Sequence, residues 1–244
     1  MEGKVPSEHH IMAAFDRELE SVQALIMKMG GLVEANILDA AQALEARDEE
    51  LAERVRNVDV AIDELEEQVN HEAARVLALR SPAASDLRTV LSVMKIAGNL
   101  ERIGDYAKNM GKRVSVLAQM PPIDGGGGAL RRMTKVVAEM LKDALDAYIQ
   151  RDAELAHDVR LRDHDVDQMY NALFREFLTF MMEDPRNITA CMHLHFIAKN
   201  IERMGDHVTA IAEQVIYLVT GQMPEDRRPK GDETSYIHPE EDAE

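Results

Sequence analysis

A chain of 244 residues with 45% hydrophobic content can bury one large core or two small ones, while 4% aromatics, no Trp and only 13 Gly and 8 Pro suit helical bundles better than β-sandwiches. Acids outnumber bases 45 to 28, and a formal charge of −17 disfavours nucleic acid and anionic membrane surfaces as partners, leaving cations or basic protein surfaces. The single cysteine, Cys191, allows no internal disulfide and no multi-thiolate metal site; with no 18-residue apolar run and no signal-type start, the expectation is a cytoplasmic protein.

In chain order, Leu19, Val22, Ile26, Met29, Val33, Ile37, Ala40 and Leu44 step by three and four, the stripe of a first helix. A second begins near Asp48 with Leu51, Val55, Val58, Ile62, Leu65 and Val69. Ser81-Pro82 reads as an N-cap followed by a first-turn proline, opening a third helix striped by Leu100, Ile103, Ala107, Met110, Val114 and Leu117. Residues 119–129, QMPPIDGGGGA, read as a flexible connector. Helices follow over about 130–149 and 152–182; after Asp184-Pro185 a last one carries Leu194, Ile197, Ile201, Met204, Val208, Ile211, Val215 and Leu218. Beyond Thr220 the tail holds eight acids against three bases and is expected to be disordered.

The second half repeats the first. NLERIGDYAKNM at 99–110 aligns with NIERMGDHVTAI at 200–211, and ARDEELAERVRNVDVAID at 46–63 with QRDAELAHDVRLRDHDVD at 150–167. The fold class predicted is all-α: two tandem homologous antiparallel three-helix bundles of six long helices, over 8–120 and 129–220, joined by a linker at 121–128 and followed by the tail at 221–244.

Each half carries two acid pairs at i, i+4: Asp59/Asp63 with Glu101/Asp105, then Asp163/Asp167 with Glu202/Asp206. Folding each hairpin about its turn sets 63 opposite 101 and 59 opposite 105, and 163 opposite 206 and 167 opposite 202. Facing carboxylates near 4 Å repel by about 4 kcal/mol at an effective dielectric of about 20, so positive charge must join them. Arg56, Arg102, Arg160 and Arg203, protonation, or a hard cation taking oxygen ligands are the candidates. The heptad phase puts the acids on flanks of the apolar seam, open to solvent. Gly104 and Gly205, inside helices, serve either close packing or room beside the acids, and Asn99 and Asn200 stand near enough to orient carboxylates.

The paired LERIGD and IERMGD motifs, each on the third helix of a duplicated unit, resemble the PhoU family over roughly residues 10 to 220. The resemblance implies a cytoplasmic, homodimeric negative regulator of the phosphate-starvation response and of phosphate uptake. It implies an adaptor between the ATPase subunit of a phosphate ABC transporter and a phosphate-sensing histidine kinase, meeting membranes only through partners and nucleic acid not at all. By position, Asp59, Asp63, Glu101 and Asp105 would form one metal site and Asp163, Asp167, Glu202 and Asp206 another, for Fe, Mn, Mg or Zn. His207 follows the second motif where Tyr106 follows the first, so the sites need not bind identically. No catalytic residues are expected. A ferritin-like di-iron enzyme is the alternative, but it needs two inward Glu-x-x-His motifs and only Glu154-Leu-Ala-His157 is present. A metal-free helical adaptor is a further one. Cys191 reads as a buried inert thiol, His193 and His195 cannot share a helix face, and Met27, Met29, Met181 and Met182 read as adaptable core.

Overall fold

The computed structural model describes residues 8–82, 84–123 and 125–224, with side chains from residue 17 onward. Six helices appear among them: α1 Glu8–Ala46, α2 Glu49–Arg80, α3 Ser85–Leu117, α4 Gly126–Gln150, α5 Ala153–Glu183 and α6 Ile188–Thr220. A single 3₁₀ turn, Pro185–Asn187, precedes α6. The all-α expectation therefore holds. The tail reading falls, from residue 225, outside the described residues.

Two turns repeat like the motifs do. Arg47 and Arg151 both adopt left-handed backbone, φ 55° and 56°. The following aspartates cap the next helices: the Leu51 N–H donates to Asp48 Oδ1 at 2.9 Å, and the N–H groups of Glu154 and Leu155 donate to Asp152 Oδ1 at 2.9 and 3.0 Å. The α2–α3 turn departs from expectation. Ser81 does not cap α3; it ends α2 in left-handed backbone (φ 46°), its N–H bonded to Leu77 O, and α3 starts three residues after Pro82. The glycine run also differs, because Gly126, Gly127 and Gly128 already form the first turn of α4. A Cβ on Gly126 would stand 3.2 Å from Leu194 Cδ1, so part of that run serves close approach to α6 rather than slack.

The packing follows from the stripes. α2 and α3 form one hairpin, α5 and α6 the other, and α3 packs against α6, giving a layer in the order α2–α3–α6–α5. α1 and α4 pack on each other; α1 also covers α2 and α3, while α4 covers α5 and α6. One continuous apolar core runs through all six helices, including Ile26, Ile62, Leu100, Met133, Phe177 and Ile197. The two repeats thus share a core. Of the methionines, Met29 is fully buried but Met182 is 84% exposed, so the core reading fails there, in the last turn of α5. No helix among the described residues is long and apolar enough to cross a membrane.

Candidate functional site

The hairpin register inferred from the sequence is the one observed. Ile62 lies against Gly104, Ala52 and Val55 against Gly111, and Asp163 against Gly205. This brings the acids of each repeat onto facing helix surfaces. In the first repeat Asp59 is 2% exposed, Glu101 and Asp105 are half-buried and Asp63 is exposed. The group acts as one electrostatic unit. Partial burial first, and then the charges of Asp59 and Asp105, push the Asp63 carboxyl above its ordinary range. Burial first, and then Asp105, does the same to Glu101. Glu66 adds to both shifts and belongs to the cluster, although it was not foreseen.

Lys108 supplies the counter-charge. Its Nζ donates to Asp59 Oδ2 and lies 3.9 Å from Asp105 Oδ1. These carboxylates hold the ammonium above its usual range, its hydrogen bond to Asp59 contributing most. Of the arginines considered, Arg102 lies 3.4 Å from both Glu101 Oε2 and Asp105 Oδ2, whereas Arg56 pairs with Glu53.

In the second repeat the acids sit deeper. Asp163, Asp167 and Glu202 are 2%, 4% and 5% exposed, and Asp206 is half-buried. Four of the eight acids are therefore buried, contrary to the solvent-open flanks expected. Within each hairpin the partner helix covers these flanks: Lys108 of α3 lies over Asp59, and Gly205 of α6 lets Asp163 pack close to its backbone. The lysine here is Lys199, 3.0 Å from Glu202 Oε2 and 4.8 Å over the Tyr170 ring. Arg160 lies 3.4 Å from Glu213 Oε1.

The two lysines are not equivalent. Position 108 in the first repeat corresponds to Thr209 in the second, and Lys199 corresponds to Gly98. In the folded hairpins Lys108 stands at the Asp59 end of its cluster, beside α2, while Lys199 stands at the Glu202 end of the other. Sequence reasoning missed both. Their signal was a base three residues from an acid on the same helix face.

The glycines divide. Gly104 makes room for Ile62, a packing role, whereas a Cβ on Gly205 would lie 2.9 Å from Asp163 Oδ1, so this glycine makes room for a carboxylate. Asn99 orients no acid: its Nδ2 donates to Lys95 O, and its Oδ1 lies 2.8 Å from His207 Nδ1 on α6. The rings of Tyr106 and His207, at equivalent positions of the two repeats, meet at 5.7 Å. As α3 advances from Asn99 to Arg113, its partners on α6 recede from His207 to His193, which Arg113 Nη1 approaches to 3.3 Å. The repeats are thus related by a pseudo-twofold axis passing near Tyr106 and His207. Burial, then Arg102 and Arg203, push the His207 imidazole below the ordinary histidine range.

Among the described residues no three His, Cys, Asp or Glu side chains converge closely enough to enclose an ion. In the first cluster the donor chemistry nevertheless suits a hard cation. All its acids offer carboxylate oxygens, and Asp59 Oδ1 is buried with no hydrogen-bond partner among the described residues. What occupies the space between Asp59 and Asp105 is the Lys108 ammonium. Glu154 and His157 are both exposed on α5, so the lone Glu-x-x-His does not face inward. Cys191 is fully buried, and burial pushes its thiol up, as an inert core cysteine requires. His195 packs against Tyr170 and Phe174 while His193 meets Arg113, so the two point to different helix faces.

Known proteins resemble this chain over most of its length. A phosphate-specific transport system accessory protein PhoU homolog of Rhizobium meliloti is 45% identical over 231 residues, 95% of this chain and 98% of its own. A homolog of the same description from Zymomonas mobilis is 47% identical over 222 residues, 91% and 93% of the two chains. The crystal structure of PhoU from Pseudomonas aeruginosa matches with a TM-score of 0.83 at 42% identity, covering 85% of this chain and all of that one. The phosphate transport system regulatory protein PhoU from Streptococcus pneumoniae matches with a TM-score of 0.80 at 32% identity, covering 86% and 99%. The PhoU domain model matches twice, over residues 26–114 and 130–215, once for each repeat and with both acid motifs inside. Duplicated bundle, twin motifs and relatives agree: the chain belongs to the PhoU family.

Proposed function

We propose that this protein is a cytoplasmic, non-enzymatic adaptor that represses phosphate uptake and the phosphate-starvation response. It links the ATPase subunit of a phosphate ABC transporter to a phosphate-sensing histidine kinase and acts as a homodimer. The observation that carries this reading is near-complete coverage, in both directions, by relatives described as accessory proteins of phosphate-specific transport. Deleting the gene in its host tests it: alkaline phosphatase should rise in phosphate-rich medium, and an unchanged level would count against repression. A pull-down against ATPase subunit and kinase separately tests the two partnerships.

The carboxylate clusters supply the metal part of the reading. Asp59, Asp63, Glu101 and Asp105 would hold one cation, and Asp163, Asp167, Glu202 and Asp206 another, with Mn, Fe, Mg or Zn as candidates. A bound ion would supply positive charge that fixes the facing helices, and no reaction step is assigned to it. The raised carboxyls of Asp63 and Glu101 support an under-neutralised first cluster. The contacts of Lys108 and Lys199 with the acids favour a second reading, an adaptor whose acidic face is neutralised from within and binds no metal. Elemental analysis of protein purified without added metal separates the two. Loss of metal in both Asp105→Ala and Asp206→Ala supports the sites, and equal content in wild type and both variants removes these positions from them.

A further inference from the structure

We propose that Lys108 is a tethered counter-ion that must swing out of the first cluster before a divalent cation can enter, so that this lysine sets how readily the first repeat loads relative to the second. The inference rests on the metal reading above and goes beyond it, because that reading assigns ligands only.

Three observations carry it. Lys108 Nζ bonds to the buried Asp59 through one oxygen and approaches Asp105, so it bridges α2 and α3 between two of the presumed ligands. The other oxygen of Asp59 is buried and has no partner among the described residues. A single ammonium therefore leaves this carboxylate half satisfied, where a cation of higher charge and coordination number would engage more oxygens. Finally, the Lys108 side chain is 33% exposed, so a route to solvent is open to it.

Ammonium and metal compete for the same oxygens. The apparent affinity for the metal is reduced by the fraction of molecules in which the lysine occupies the site. The second repeat carries Thr209 at this position, and its own lysine, Lys199, pairs with Glu202 at 3.0 Å and lies over the Tyr170 ring, at the other end of the cluster. The effect of Lys108 is thus confined to one site of two.

The wild-type protein gives the primary test. Pulse acylation of lysines with a soluble succinimidyl ester, read by peptide mass spectrometry with and without Mn²⁺, should show Lys108 becoming several-fold more reactive when Mn²⁺ binds, with Lys112 unchanged. Lys112, whose Nζ donates to Asn109 Oδ1 at 3.2 Å, reports non-specific effects. Mn²⁺ titration by calorimetry gives the second test. Lys108→Gln should tighten one of two binding events by about tenfold or more, while Lys112→Gln, which removes the same charge from the same helix, should shift it much less. Mn²⁺ binding to the wild type with unchanged Lys108 acylation, or equal tightening in both glutamine variants, overturns the counter-ion role. Absence of Mn²⁺ binding in wild type and Lys108→Gln alike overturns the metal reading itself.

Discussion

A methyl group added at Gly205 would stand 2.9 Å from Asp163 Oδ1, whereas one added at Gly31 would meet nothing within 4 Å. Gly205→Ala is therefore expected to lose about 1–3 kcal/mol through overpacking against a buried carboxylate. Gly31→Ala should gain about 0.4–1 kcal/mol by restricting the unfolded chain. Urea denaturation of the two variants checks both signs. At His193, burial and then Arg113 hold the imidazole below its ordinary value of 6.5. The unfolded chain takes up the proton first, so stability present above that value is lost as pH falls below it. His193→Gln should flatten the decline between about pH 7 and about pH 5.5, as denaturant midpoints across that range will show. Letters alone separated these residues poorly. LERIGD and IERMGD are near-identical, yet Gly104 faces Ile62 and Gly205 faces Asp163, a difference written on the opposing helix. Lys108 and Lys199 are hard to single out for a related reason: Thr209 and Gly98 stand at their equivalent positions, so the duplication marks neither.

At the level of elements, the helix number and the hairpin register were legible, because unbroken 3.6-residue stripes and mirrored acid pairs constrain both. Turns were less so. Arg-Asp at 47–48 and 151–152 turned out to be the joint that reverses the chain, a left-handed arginine followed by a capping aspartate. Asp48→Ala and Asp152→Ala should each cost about 1 kcal/mol. The arginines should differ from one another. Arg151 is exposed, and Arg151→Gly should gain up to about 1 kcal/mol by relieving left-handed strain. Arg47 also donates through Nη2 to Leu117 O and Met120 O, so Arg47→Gly should lose stability instead. Thermal unfolding by circular dichroism resolves the pair. The same left-handed geometry explains the misread turn at Ser81-Pro82: a serine before proline has the letters of a helix start, but here its backbone closes the preceding helix.

For the whole molecule, the continuous core and the α3–α6 and α1–α4 contacts predict that the repeats unfold together. Calorimetry should show one transition with matching van't Hoff and calorimetric enthalpies. A fragment spanning 125–224, which leaves the α1- and α3-facing surfaces bare, should give no sharp transition. Duplication was visible in the sequence, but how the copies dock was not, since nothing in either repeat names the face it turns to the other. That docking puts Tyr106 against His207. Had two separate half-length chains met this way, symmetry would oblige the same ring to face itself, two phenols or two imidazoles. Fusion into one polypeptide lifts that obligation, so an uncharged ring can greet a protonatable one and each flank of the axis is free to evolve its own chemistry.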